Sequence, residues 1–269
     1  MRITILVDNN TAIDQYYIGE PAACYYIEDG ERRVLLDTGY SDVFMRNAQS
    51  LKVDLNTITD VAISHGHNDH TGGLRYLADS FRSQGINLIA HPDAFQERFD
   101  NDLFSGCPVE LPKLKESFNL KLTREPYAIN DRLLFLGEIP SYNDFERTVP
   151  VGLIKENDIS REDFVLDDSA LVYNGAQGLF IITGCSHSGI CNIIEHAKKV
   201  SGERKIAGVL GGFHIFEVSE QLTKTIDYFS ANGIRTLYPC HCVSFAAKAE
   251  IHKKIPIHEV GVGLRITID

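Results

Sequence analysis

The sequence predicts an α/β fold made of two similar halves packed sheet to sheet, and two observations carry that expectation. The first is residues 60–73, D-V-A-I-S-H-G-H-N-D-H-T-G-G, where a short apolar run leads into clustered histidines. Val61-Ala62-Ile63 is too short for a helix and suits a buried strand. Leu74, Leu77, Ala78 and Phe81 then recur at i, i+3, i+4 and i+7, the spacing of a one-faced helix over residues 73–83. The second observation is that this plan recurs. Residues 178–184 form a strand ending in T-G, as residues 34–39 do, and residues 205–210 lead into Gly211-Gly212-Phe213-His214, as the Val61 strand leads into Ser64 to His67. Two such halves bring their strand ends to one edge, so a single site draws groups from both.

Taken in order, residues 2–7 alternate as a first strand, and residues 22–28 and 33–37 flank the Asp29-Gly30 turn as a hairpin. Phe44, Ala48 and Leu51 mark the next helix. Residues 86–90 form a strand that closes at His91-Pro92, which makes His91 a strand-end residue rather than a ligand. From about 93 to 168 the periodicity is irregular, with prolines at 108, 112, 126, 140 and 150. Residues 119–123 and 133–136 suit strands, and the rest reads as loop. Such an insertion is expected to serve as a lid or substrate wall. Its candidate substrate contacts are Asp168 and Arg147 first, then Tyr142, Asp144, Phe145, Glu146 and Asp167. In the second half, Ile190, Ile193, Ile194 and Ala197 mark one helix and Leu222, Ile226 and Phe229 another; residues 235–238 form the last inner strand. Residues 1–269 are expected to make one domain.

The histidine cluster is a metal-binding pattern. In extended backbone His65 and His67 point the same way, whereas Asp69 and His70 follow a turn and aim elsewhere. Four ligands on one tetrahedral ion would strain so short a loop; two ions, each taking a pair and lying roughly 3.5–4 Å apart, are easier. Imidazole with carboxylate suits zinc first, then iron or manganese. A net charge of −11 argues against a nucleic-acid surface, and six scattered cysteines do not make a disulfide framework. The chain lacks a signal-peptide pattern and an apolar run of about 20 residues, so a cytoplasmic protein away from membranes is expected.

His65-Gly66-His67-Asn68-Asp69-His70 resembles the H-x-H-x-D-H signature of the metallo-β-lactamase fold superfamily. The resemblance implies a four-layer αββα sandwich with a dinuclear site between its sheets. It implies that Asp37, in L-L-D-T-G, supports the metal loop through hydrogen bonds. His187 in Cys185-Ser186-His187 would complete a set with His65 and His67, and His241 in P-C-H-C a set with Asp69 and His70, leaving the open positions of a catalytic site. Cys185 stands where many members carry a bridging aspartate: either its thiolate ligates, or His187 takes over while Cys185 stays buried. His214 is open to three roles, ligand, proton donor or substrate contact, the last two preferred, and Asp69 could also orient a water. His196, His252, His258, Cys240 and Cys242 read as ordinary surface or packing residues.

The runs H-G-H-N-D-H-T-G-G-L, I-T-G-C-S-H-S-G-I-C-N-I-I, G-G-F-H and P-C-H-C, with Asp167 to Val172, are similar to one branch of that superfamily. Its members are described as 7,8-dihydropterin-6-methyl-4-(β-D-ribofuranosyl)aminobenzene-5′-phosphate synthases or as metal-dependent hydrolases. The resemblance implies a hydrolase or transferase with two divalent ions and a small, anionic, phosphorylated or ester substrate. A di-iron redox protein and a non-catalytic metal or ligand sensor are the alternative classes.

Overall fold

The computed structural model describes residues 1–80, 85–156 and 159–269. The chain opens with β1 (Arg2–Val7), β2 (Cys24–Asp29), β3 (Arg32–Leu36), α1 (Val43–Leu51), β4 (Asp60–Ala62), the single turn α2 (Asn68–Thr71), α3 (Leu74–Ser80) and β5 (Asn87–Ala90). The middle holds β6 (Glu97–Asp100), β7 (Leu103–Phe104), α4 (Leu111–Ser117), β8 (Asn119–Leu122), β9 (Tyr127–Ala128), β10 (Leu133–Phe135), β11 (Gly152–Glu156) and β12 (Ile159–Asp163). The second half runs β13 (Ala170–Gly175), β14 (Gly178–Thr183), α5 (Ile190–Ser201), β15 (Ile206–Gly211), α6 (Glu220–Ala231), β16 (Leu237–Pro239), α7 (Phe245–Lys254) and β17 (Arg265–Thr267). The expected helix over 73–83 is α3 as far as Ser80; Phe81 lies outside the described residues.

Among the described residues the strands form a seven-stranded sheet, β17-β1-β2-β3-β4-β5-β8, a six-stranded sheet, β16-β15-β14-β13-β10-β9, and a four-stranded one, β12-β11-β6-β7. The repeated plan is explicit in the register. The antiparallel hairpin β2–β3 hands on to the parallel strand β4, and the hairpin β13–β14 hands on to the parallel strand β15. Both central strands are buried on two faces, which is why they read as continuous apolar runs. In β3, Leu35 packs beneath α1 and α3 while Val34 and Leu36 face the other sheet. In β14, Leu179 and Ile181 pack beneath α5 and α6 while Phe180 and Ile182 turn inward to the same middle layer. Helices therefore cover the outer face of each large sheet, giving the four layers αββα.

In the stretch 93–168 the expected strands at 119–123 and 133–136 are β8 and β10, and long runs such as 136–151 are loop. What differs from expectation is that its strands enter all three sheets: β8 extends the first, β9 and β10 edge the second, and β6, β7, β11 and β12 make the third. These strands span two to five residues, and β12 is exposed along most of its length. Exposure on both faces leaves no apolar alternation for periodicity to register. No helix among the described residues is long and apolar enough to cross a membrane.

Candidate metal centre

The first-half donors leave the ends of β3 and β4. Asp37, just after β3 with φ 61°, is wholly buried and gathers the loop around its carboxylate. It accepts from the Ser64 backbone N–H at 2.7 Å, from Ser64 Oγ at 2.8 Å and from His70 Nδ1 at 2.7 Å. Because the Ser64 hydroxyl spends its proton on Asp37, its lone pair is what faces His65 Nδ1, 2.9 Å away. Both rings are thereby held with Nδ1–H turned outward and Nε2 turned inward, the orientation a metal ligand needs. His65 Nε2 meets His67 Nδ1 at 3.0 Å. Asp167 holds the loop from the other side, accepting Gly66 N–H at 2.8 Å while its second oxygen pairs with the fully buried Arg98 of β6.

The second-half donors leave the ends of β14 and β16. Cys185 follows Thr183-Gly184, and its Sγ lies 3.2 Å from both His70 Nε2 and His241 Nε2. Asp69 Oδ2 lies 3.4 Å from His70 Nε2 and 3.3 Å from His241 Nε2. His241 is fastened by β1's exit: Asp8 accepts its backbone N–H at 3.0 Å, and Asn9 Oδ1 takes Nδ1 at 3.1 Å. The His187 ring sits 4.7 Å from that of His65, 4.9 Å from His67 and 4.2 Å from His214.

Two donor groups result. Asp69, His70, Cys185 and His241 form one, and His65, Cys185 and His187 the other, with ligand atoms in each group within 4.8 Å of one another. His67 adjoins the second group through His65. Cys185 belongs to both, so its sulfur is the donor the two groups share. Asp37, Ser186, His214 and His241 all adopt positive φ, between 49° and 61°, although none is glycine. Such strain gathers where side chains must be aimed against backbone preference.

The groups fit cations. His187 is buried with neither ring nitrogen hydrogen-bonded, an arrangement that costs free energy unless something else satisfies those lone pairs. Burial, and then neighbouring imidazoles, hold His65 and His187 well below the ordinary histidine range; burial pushes His67 down to about 4. Neutral rings are what a cation requires. Burial opposes the charges of Asp69 and His70, but their mutual attraction outweighs it: Asp69 is held well below the carboxylate range and His70 well above the histidine range. A cation would displace that His70 proton. The donor types, imidazole, carboxylate and one thiolate, suit zinc, iron or manganese.

Above the groups opens a cavity of about 370 Å³. His67, Asp69, Cys185, His187, His214, His241 and Cys242 line it, with Asn9, Pro21, Asn68 and Phe216, and with Asp100, Ser105 and Val151 from around the small sheet. His214, pushed down to about 4 by burial, is thus a cavity residue. So is Cys242, contrary to the packing role expected of it, because the P-C-H-C run turns outward after Cys240.

The expected substrate contacts from 142–168 lie elsewhere. The Arg147 guanidinium donates to Ile139 O at 3.1 Å, Ser141 Oγ at 2.7 Å and Ser188 Oγ at 3.4 Å, tying its own loop to the residue after His187. Asp168 is buried, accepts Ser188 N–H at 2.8 Å and is raised by burial to about 7. Both brace the His187 loop rather than line the cavity. Glu146 accepts the Cys191 and Asn192 N–H groups at 2.9 Å, capping α5, while Tyr142 bonds His196 at 3.0 Å. Phe145 lies 5.5 Å beneath the Lys224 ammonium, Asp144 is likewise absent from the cavity lining, and His91 pairs with Glu138 at 3.2 Å, away from the centre. Asp8, Asn9 and Ser64 escaped sequence reading; only the T-G-bearing loops had signalled where to look.

A family model described as the metallo-β-lactamase superfamily matches residues 17–106. An uncharacterised protein of Methanocaldococcus jannaschii is 33% identical over 251 residues, covering 93% of each chain. The 7,8-dihydropterin-6-methyl-4-(β-D-ribofuranosyl)-aminobenzene-5′-phosphate synthase of the same organism is 31% identical over 229 residues, 81% of this chain and 78% of the synthase. A solved metal-dependent hydrolase of the β-lactamase superfamily matches with TM-score 0.84 and 31% identity over 99% of this chain and 98% of that one. The chain belongs to the metallo-β-lactamase superfamily.

Proposed function

We propose that this protein is a metal-dependent hydrolase or transferase acting on a small anionic substrate, phosphorylated or ester, through a dinuclear centre. The observation that carries this reading is the pair of donor groups joined through Cys185 on the floor of one cavity. Two divalent cations held there, zinc first by donor type, would polarise a phosphoryl or carbonyl oxygen and lower the pKa of a water towards ~7. The chain supplies the rest. Asp37 and Ser64 keep His70 and His65 aimed inward before any ligand arrives. Asp69, ionised and lining the cavity, can orient a water. His214 is neutral at pH 7, so it contacts the substrate's leaving group through a hydrogen bond and must gain a proton before donating one. Asn9, Asn68 and Ser105 offer neutral polar contacts at the walls.

The transferase form of the reading draws support from the 31% identity to the dihydropterin-ribofuranosylaminobenzene phosphate synthase. The same clamp would then serve a transfer between two substrates instead of attack by water. Metal analysis of the purified protein, with His67→Ala and His241→Ala, tests the shared premise. Wild type should carry two metal ions per chain and turn over some member of a panel of phosphoesters, thioesters and lactones. Each variant should lose more than about 100-fold in kcat/KM, beyond what supporting residues cost. A loaded wild type inert towards that panel and towards transfer would favour a sensor, and a wild type that takes up no metal would end the reading.

A further inference from the structure

The thiol of Cys242 belongs to neither donor group, yet it rests against the backbone of Cys185, the residue whose sulfur both share. Cys240, two residues earlier, is fully buried with its Sγ 3.2 Å from the Tyr25 hydroxyl, deep between the sheets. Cys242 is only partly buried and lines the cavity. Its Sγ accepts the His214 N–H at 3.3 Å and lies 3.4 Å from the Cys185 carbonyl oxygen. Gly212 makes this approach possible: a Cβ there would overlap Cys242 Sγ and sit 3.3 Å from Cys185 Cα. The two cysteines come together from different strand exits, those of β14 and β16, and both are free thiols.

We propose that Cys242 is an oxidation site, and that a disulfide between Cys242 and Cys185 disarms the metal centre. A peroxide is the oxidant. The Cys242 sulfur attacks one peroxide oxygen, the O–O bond breaks, and Cys242 becomes a sulfenic acid while hydrogen peroxide's other oxygen leaves as water. The Cys185 sulfur then attacks Cys242, the S–S bond forms, and the sulfenic hydroxyl leaves as a second water, its proton coming from the Cys185 thiol in the metal-free chain and from solvent when Cys185 is a metal-bound thiolate. The two thiols lose two electrons and the peroxide gains them. The bond removes the one donor common to both groups, so both cations lose a ligand at once, and a reducing thiol restores them. This inference rests on Cys185 being a metal ligand but not on any particular substrate.

The test uses the full zinc-loaded chain treated with limiting hydrogen peroxide, alkylated, and digested without reduction. A cross-linked peptide pair containing Cys185 and Cys242 is expected, with zinc released in proportion and both changes reversed by dithiothreitol. Zinc affinity of the oxidised form should fall at least about tenfold. Cys242→Ser should form no such cross-link and should keep its zinc; Cys242→Ala serves if the serine variant misfolds. Cys107, the other partly buried thiol, bonds the Val109 carbonyl at 3.5 Å and is the internal control. Oxidation of Cys107 ahead of Cys242, or conversion of Cys242 to a sulfinic acid with Cys185 unlinked, overturns the proposal. Were the untreated protein to take up no zinc, the metal reading would fail separately, and any cross-link would then be without the proposed consequence.

Discussion

In the first half of the molecule, two of the three clustered imidazoles have their outward nitrogen engaged by the fold: His65 on Ser64 at 2.9 Å and His70 on Asp37 at 2.7 Å, both wholly buried. In the second half, His187 is buried with both nitrogens unpartnered, and His241 leans on Asn9 at 3.1 Å. One loop is organised by folding alone. The other contains a deficit that a cation would remove. Orientation of these first-half rings is thus prepared in advance, whereas the free energy of binding a cation would be concentrated where the lone pairs are otherwise unsatisfied.

The largest expected effect strikes the point where the two supports touch. A methyl added to Gly184 would overlap Ser64 Oγ and sit 2.9 Å from Asp37 Oδ2. Gly184→Ala should cost about 3 kcal/mol of stability, as overpacking does, and abolish metal uptake at both groups. An unchanged denaturant midpoint would show that the halves do not depend on this contact. Next, Asp37→Ala should lower metal affinity about 10–100-fold, whereas Asn9→Ala should cost less than about tenfold, because it frees one ring and Asp37 steadies two elements. Equal losses in a competition titration would break the comparison.

The smallest effect is a pH dependence in the metal-free protein, where His187 and His70 should pull in opposite directions. Burial holds His65 and His187 below 6.5 and brings His67 and His214 to about 4. Such rings take up protons on unfolding, so their stability is complete above about 6.5 and lost as pH falls towards 4. His70 is opposed by burial yet raised by Asp69 and Asp37; its contribution is present below 6.5 and lost as pH rises through its folded value. Five lowered rings, these four and His196, should lower the thermal midpoint between pH 6.5 and 4, opposed by His70 and by the buried Asp168 carboxyl, which burial raises to about 7. His187→Leu should flatten that slope. A midpoint that rises on acidification would count against the neutral state of these rings.

Much of this centre was legible because its ligands are local. His65, His67, Asp69 and His70 fall within six positions, and the strands on either side are apolar on both faces, so composition marks them without knowledge of partners. Asp8, Asn9 and Ser64 were not legible, since small polar residues after strands are common and these matter only through what they touch. The small sheet was missed because its strands are short and exposed, and Arg147 and Asp168 because a charge in a long connection looks the same whether it meets substrate or braces a loop.

By itself the sequence determined the repeated plan of strand, T-G, helix, strand and glycine-histidine, the two apolar faces of its central strands and the residue types available to a cation. These follow from periodicity and side-chain chemistry, which are properties of neighbours along the chain. Only the tertiary structure decided that Cys185 is shared by both donor groups, that Cys242 packs against its backbone beside Gly212, and that the middle third supplies strands to three sheets. Those facts depend on which strand exits meet in space, and contacts such as the one between Asp8 and His241 span 233 positions of the chain.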